Sequence, residues 1–299
     1  MSQLLASVYP STSFDVSYDN YRRFLAFTDK HDQEATALTT ELPKWVVPGS
    51  AVSAIDVGAG SGRLAKTLHR IYGAAGEQFS LTLLEPAVQA AEALDEAFAS
   101  DPNVVVACQS LQEYLGPPHC AKHSLVLASH VNYYFEDRRQ FFDAMLDLLQ
   151  PAGVLCCISG AISLLDHPFY IELGTAIWQM QGVERSFGLD GYGACAEELE
   201  LIAFNGGYAF HTFRSPASLS CSANQVRSAL KALSSLNACL EDELCRCFGF
   251  LLRVPADAIF RARHEVRKFL TRHRADELGM RIECEDKMMF LRTPGPMRQ

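Results

Sequence analysis

The residues best suited to chemistry begin with the run Ile55-Asp56-Val57-Gly58-Ala59-Gly60-Ser61-Gly62, which follows an apolar, β-branched stretch and opens a helical pattern. Glycines at such a turn let the backbone bend tightly and approach a ligand closely. The helix N-terminus beyond offers unpaired N–H groups. The spacing departs from the G-x-G-x-x-G dinucleotide fingerprint: the third glycine comes one place early, at Gly62, and Arg63 stands where it is expected. No Walker lysine accompanies the turn, which argues against a nucleoside triphosphatase. Asp56, in an otherwise apolar strand end, can organise the loop or meet a cationic ligand. Glu85 closes the next strand pattern, where an acid can accept hydrogen bonds from both hydroxyls of a ribose.

These residues need a frame, and the hydrophobic pattern supplies one. Residues 52–57, 79–84, 104–107, 125–129 and 154–158 read as strands, separated by helical patterns at 63–72, 88–98 and 136–149. Such alternation implies βαβ units and a parallel sheet, an α/β fold wound on both faces. An N-terminal helix is expected over residues 15–42, stopped by Pro43 and Pro48-Gly49. After Ser159 the order changes: helices over 168–180 and 196–205, a strand over 208–213, three helices within 223–272, and a last strand over 280–291. The final two strands, with about sixty residues of helix between them, read as an antiparallel hairpin at the sheet edge.

Composition narrows the function. A net charge of −9 disfavours nucleic-acid binding, which needs lysine and arginine to displace counterions from phosphates. No run of 18 apolar residues would span a membrane, and the N-terminus lacks the basic and apolar segments of a signal peptide. Ten cysteines without a C-x-x-C pair read as reduced thiols of a cytoplasmic protein. No metal-binding motif is visible.

The D-x-G-x-G-x-G turn, Leu83-Leu84-Glu85-Pro86, residues 125–137 and Leu149-Gln150-Pro151-Ala152-Gly153-Val154 resemble the motifs of class I S-adenosylmethionine-dependent methyltransferases. The resemblance implies a mostly parallel, seven-stranded Rossmann-like sheet with the cofactor S-adenosyl-L-methionine beyond the strand ends. It implies a lid segment over residues 1–50, a cofactor-binding core over 51–160, and substrate-binding helices with the last two strands over 161–299. It places Asp56, Gly58, Gly60 and Gly62 beside the methionine part and Glu85 at the ribose. Ser110 is set near the adenine and Ser129 beside the cofactor.

A narrower likeness spans most of the chain. Tyr21-Arg22-Arg23-Phe24-Leu25 followed by His31, Leu84-Glu85-Pro86, and Tyr133-Tyr134-x-x-Asp137 look like the histamine N-methyltransferase family, which methylates a ring nitrogen of a small amine. Three positions depart from that family: Lys30 replaces a substrate-facing glutamate, His130 a glutamine and Asp286 an asparagine. A lysine there would repel a cationic amine and favour a carboxylate, so the expected acceptor is a small amine other than histamine, one that carries a carboxylate. The attacking nitrogen must be neutral, and His130 and Asp286 could receive or orient its proton. Each also has a plainer reading, His130 as a packed histidine and Asp286 as edge polarity. Tyr133 and Tyr134 could wall the acceptor with their ring faces, Trp178 could cap an aromatic cage, and Tyr21 could belong to a lid. Each of these aromatics reads equally as core. A small-molecule substrate and a monomer are expected. O-methylation, or a cofactor-binding regulatory protein without turnover, remains the alternative.

Overall fold

The computed structural model describes residues 14–116, 121–135, 137–160, 167–182, 195–252, 254–273 and 279–294. One sheet organises them: β1 (Val52–Val57), β2 (Phe79–Leu84), β3 (Val104–Ala107), β4 (His123–Ser129), β5 (Leu149–Gly160), β6 (Phe210–Cys221) and β7 (Met280–Arg292). The strand order is β3-β2-β1-β4-β5-β7-β6. The first five strands pair in parallel, and β7 runs antiparallel to both β5 and β6. The expected Rossmann-like, mostly parallel sheet is therefore present, with the last two strands forming the expected antiparallel hairpin at one edge. Within that hairpin β7 lies inside, between β5 and β6. Its second half explains this, since Met288, Met289, Phe290 and Leu291 are all at most 3% exposed. A continuous apolar run of this kind suits a strand covered on both faces. β6, whose exposed residues include Arg214 and Ser220, takes the outer position.

Helices cover both faces. Helices α1 (Phe14–Leu25), α2 (Lys30–Glu41), α3 (Arg63–Tyr72), α4 (Val88–Phe98), α5 (Leu111–Tyr114) and α6 (Arg138–Asp147) accompany β1 to β5. Leu38, Leu42, Leu64 and Leu68 pack with Leu125 and Leu127 on one face. Phe141, Phe142 and Met145 pack with Val126 and Ala128 on the other. The period-two alternation along β4 divides its side chains between these two cores.

Past β5 come a π turn at Phe169–Gly174 and helices α7 (Thr175–Met180) and α8 (Cys195–Asn205). Between β6 and β7 lie α9 (Ala223–Ala232), α10 (Leu236–Glu241), α11 (Glu243–Leu252), α12 (Ala256–Arg261) and α13 (Arg263–His273). The π turn, α7 and the helices between β6 and β7 share a separate core built around Phe169, Phe248 and Phe269, whereas α8 packs Leu199 and Ala203 with Phe141 and Phe142. The eight cysteines whose side chains are described are free thiols. No helix among the described residues is long and apolar enough to cross a membrane.

The single helix expected over 15–42 is two helices. Residues 27–29 leave the helical path to pair with β6. Ser220 N–H donates to the Phe27 carbonyl (2.6 Å), Thr28 Oγ1 donates to the Ser218 carbonyl (2.8 Å), and Ser218 N–H donates to Asp29 Oδ1 (2.6 Å). These long-range bonds replace a turn of local helix and cover part of an open sheet edge. They also set the start of α2 over the C-terminal ends of β4 and β5.

Candidate active site

In an open α/β sheet, ligands bind beyond the carboxyl ends of the strands. The chemistry-bearing residues gather there. At the end of β1, Gly58, Gly60 and Gly62 have φ of +71°, +55° and +72°, backbone that side chains with a Cβ rarely adopt. A Cβ on Gly58 would lie 2.3 Å from Val131 Cγ1, and one on Gly62 would lie 2.5 Å from Leu94 Cδ2. Glu85, at the end of β2, pins the turn. Its Oε2 accepts the Gly60 N–H (2.8 Å) and its Oε1 accepts the Ala87 N–H (2.9 Å).

Asp56 is buried behind the turn, and its Oδ2 has no hydrogen-bond partner among the described residues. Burial, reinforced by the Glu85 charge, pushes its carboxyl up to about 7. A cleft opens in front of these residues. Tyr21, Gly58, Gly60, Glu85, Ser110, Ser129, His130 and Tyr134 all line it. Ser110 is the N-cap of α5, its hydroxyl accepting from the Glu113 N–H.

The opposite wall is a cluster of charged groups. His130 follows β4 with φ of +56°, a left-handed conformation uncommon outside glycine and found disproportionately at functional sites. Its N–H donates to the Ile158 carbonyl (2.9 Å), which holds the strained backbone against β5. Its Nε2 lies 2.7 Å from Glu34 Oε1. The other oxygen of Glu34 lies 2.9 Å from His31 Nδ1, and His31 Nε2 lies 2.7 Å from the Tyr21 hydroxyl. Glu34 is fully buried. Burial alone would raise its carboxyl, but His130 and His31 together hold it well below the usual range.

Asp286 lies beside this pair, level with Gly160 at the end of β5. Its Oδ1 is 3.0 Å from Lys30 Nζ, and its Oδ2 is 3.9 Å from His130 Nε2. Burial pushes the Asp286 carboxyl up, against the pull of Lys30 and His130. For Lys30, burial disfavours the charge but Asp286 and Glu34 outweigh it and raise its affinity for the proton. Glu34, His130 and Asp286 each place a ligand atom within 4.8 Å of the others, a spacing a metal ion could use. The Lys30 ammonium already supplies a cation there.

The sequence-derived candidates divide accordingly. Gly58, Gly60, Glu85, Ser110 and Ser129 line one cleft together with Tyr21, Tyr134 and His130, whereas Asp56 and Gly62 lie behind its lining. Asp286 is buried among charged partners rather than edge polarity. Lys30 reaches the cluster, but its charge is taken by Asp286, which removes the reason to expect a carboxylate on the acceptor. Trp178 belongs elsewhere: it is 2% exposed in the helical core, and its indole N–H donates to the Leu252 carbonyl (2.9 Å). The side chain of Tyr133 lies outside the described residues. Sequence reading missed Glu34. Its signal was an acid at i+3 from His31 on the face of α2 that also carries Leu38, where a buried charge demands partners.

Residues 55–157 match the family model of a methyltransferase domain. This stretch is a methyltransferase domain. Three solved structures share its fold. A proposed methyltransferase of Bacillus halodurans is 10% identical, with 87% of this chain and 99% of that one covered, at a TM-score of 0.52. The YcgJ protein of Bacillus subtilis is 9% identical over 87% and 99%, at 0.52. A proposed sarcosine dimethylglycine methyltransferase of Galdieria sulphuraria is 13% identical over 94% and 100%, at 0.52. No curated protein matches the sequence. The matched stretch thus carries a methyltransferase domain, for which S-adenosyl-L-methionine is the methyl donor, on a fold that these solved structures share. Its residues suit that cofactor: the glycine turn admits close backbone approach, and Glu85 faces the cleft.

Proposed function

We propose that this methyltransferase methylates a nitrogen of a small cationic amine, and that His130, backed by Glu34, takes the proton from that nitrogen. The observation that carries the reading is the 2.7 Å contact between His130 Nε2 and the buried Glu34 carboxylate on the wall of the cofactor cleft. An amine is protonated near neutral pH and has no lone pair to attack with. The cofactor supplies an electrophilic methyl group on sulfur. His130 accepts the amine's proton, the freed lone pair forms the new N–C bond, and the C–S electron pair returns to sulfur. Glu34 stabilises the imidazolium so formed, the usual part of a carboxylate behind a histidine base.

Charge supports a cationic acceptor. Glu34 and Asp286 are two buried carboxylates against one ammonium, Lys30, so the cluster carries one negative charge in excess when both histidines are neutral. A cation, or a proton left by one, restores balance. The likeness to histamine N-methyltransferase points to the same acceptor class, with the altered Lys30, His130 and Asp286 favouring an amine other than histamine.

The test is methyl transfer from labelled S-adenosyl-L-methionine to a panel containing histamine, monoamines, diamines and zwitterionic amino acids. Label should enter the nitrogen of a cationic amine, and Glu34→Gln should lower that rate by about 10²–10⁴-fold, the range for general-base catalysis. Label found only on oxygen, or a Glu34→Gln rate equal to wild type, would overturn the reading.

A further inference from the structure

Asp286 carries an oxygen with no evident use. Its Oδ1 is held by Lys30 Nζ at 3.0 Å, but its Oδ2 has no hydrogen-bond partner among the described residues, although Asp286 is only 2% exposed. A buried carboxylate oxygen without a donor is costly, and a water or an ion is the usual answer to such a vacancy of partners. Two further ligand atoms stand beside it. His130 Nε2 lies 3.9 Å from Asp286 Oδ2, and Glu34 Oε1 lies 2.7 Å from that nitrogen. The atoms that the three residues offer all fall within 4.8 Å of one another.

We propose that Glu34 Oε1, His130 Nε2 and Asp286 Oδ2 form a binding site for a divalent transition-metal cation of the zinc type. One imidazole and two carboxylates are ligands that zinc accepts, and three protein ligands with a fourth position left open are a recurrent zinc arrangement. With zinc–ligand bonds of about 2.0–2.2 Å, two ligand atoms at a tetrahedral angle stand about 3.4 Å apart. The 2.7 Å pair must therefore open, and the 3.9 Å pair close, by about 0.5–0.7 Å. The fourth position falls to water or to a molecule in the cleft, which His130 lines.

The neighbours of these atoms favour an ion. The other oxygen of Glu34 is held by His31 Nδ1 at 2.9 Å, and the main-chain N–H of His130 by the Ile158 carbonyl at 2.9 Å. Outer partners of this kind orient metal ligands. Lys30 leaves the site open, because it grips Asp286 by the opposite oxygen. With both histidines neutral, Glu34 and Asp286 against Lys30 leave one negative charge in excess, which attracts a further cation. The three ligands are far apart in the chain, so no short spacing motif betrays them.

A bound ion has a consequence for methyl transfer, one that rests on the reading of His130 as the base. An imidazole binds a metal through a nitrogen that carries no proton, so the ion fixes His130 with its proton on Nδ1. Neither ring nitrogen then has a lone pair for the acceptor's proton. The metal-loaded protein is therefore inactive, and ion and amine compete for the same cluster.

Zinc itself is the probe. Protein labelled with ¹⁵N-histidine is titrated with zinc chloride, without cofactor or acceptor, and the ring nitrogens are followed by NMR. One equivalent should move the His130 Nε2 resonance, and more zinc should leave it there. Asp286→Asn and Glu34→Gln, which keep side-chain size, should each weaken binding at His130 at least tenfold. A wild-type His130 resonance that stays in place in excess zinc overturns the site, and so does wild-type affinity in both variants. Methyl transfer is then measured on zinc-saturated protein before and after EDTA. Inhibition that EDTA reverses upholds the site and the base together. Undiminished transfer by protein whose His130 resonance has moved upholds the site and removes only the role of His130 as base.

Discussion

The two walls of the cleft stand on the same strand ends but are made by different means. One wall is a piece of backbone: three glycines in left-handed conformations and one carboxylate, Glu85, receiving the N–H of Gly60 and of Ala87. Its parts lie close together in the chain. The facing wall is made of charge: Lys30 and Glu34 from α2, His130 after β4 and Asp286 from β7. Its parts meet only when distant elements dock. A wall of backbone is broken by bulk, and a wall of charge is broken by removing one partner.

The largest effect is expected on the charged wall. Lys30→Met leaves Asp286 buried without its cation and should destabilise the protein by about 3–5 kcal/mol at pH 7, the cost of breaking a buried pair. The loss should shrink at pH 5. Burial already raises the Asp286 carboxyl, and without Lys30 it rises further, so the folded variant binds a proton that is lost, with its stabilisation, as pH rises. Urea unfolding at both pH values checks this, and a loss below 1 kcal/mol at pH 7 would mean that water already screens the pair.

Next in size is a test that sets one wall against the other. Gly60→Val puts a β-branched side chain at φ +55°, with its Cβ 3.3 Å from the Tyr21 ring. Affinity for S-adenosyl-L-homocysteine should fall at least 100-fold, about 2.7 kcal/mol. Glu34→Gln should keep that affinity within threefold. Calorimetry on both variants decides the matter, and equal losses would erase the distinction between the walls.

The smallest effect belongs to Asp56. Its carboxyl rises from 3.8 to about 7 on folding, so the folded state holds a proton that the unfolded chain has released. Stability therefore declines as pH climbs from about 4 to about 7 and stays low above that. Asp56→Asn removes the dependence. Its advantage over wild type should grow by about 1.4 kcal/mol between pH 5 and pH 6, the value of one pH unit. Parallel melting curves for the two proteins would contradict this.

The same division governs what the sequence disclosed. Gly58, Gly60, Gly62 and Glu85 were legible because a strand, a glycine turn and a helix follow one another along the chain, and local spacing carries their geometry. The antiparallel last strands were legible as a pair, but the insertion of β7 between β5 and β6 depends on competition among strands that no local pattern records. Glu34 was hidden for a similar reason. An acid on an apolar helix face becomes informative only when His31, one turn before it, and His130, from beyond β4, are known to meet it. The break at residues 27–29 was invisible because hydrogen bonds from Ser218 and Ser220 of β6 create it. Trp178 and Lys30 show the converse: both residue types suited a pocket, and a backbone carbonyl in one case and a carboxylate in the other had already claimed them.

The position of Asp286 on β7 also bears on the protein's synthesis. A chain leaves the ribosome from its N-terminus, and domains begin to fold as they emerge. The glycine turn, Glu85, Glu34 and His130 all precede β6, whereas Asp286 emerges after the whole helical insert. Until it arrives, Lys30 has no carboxylate at 3.0 Å and the gap between β5 and β6 is unfilled. A nascent chain can thus assemble its glycine turn well before its cluster of charges is balanced, and completion of the last strand sets the moment at which the newly made molecule is electrostatically whole.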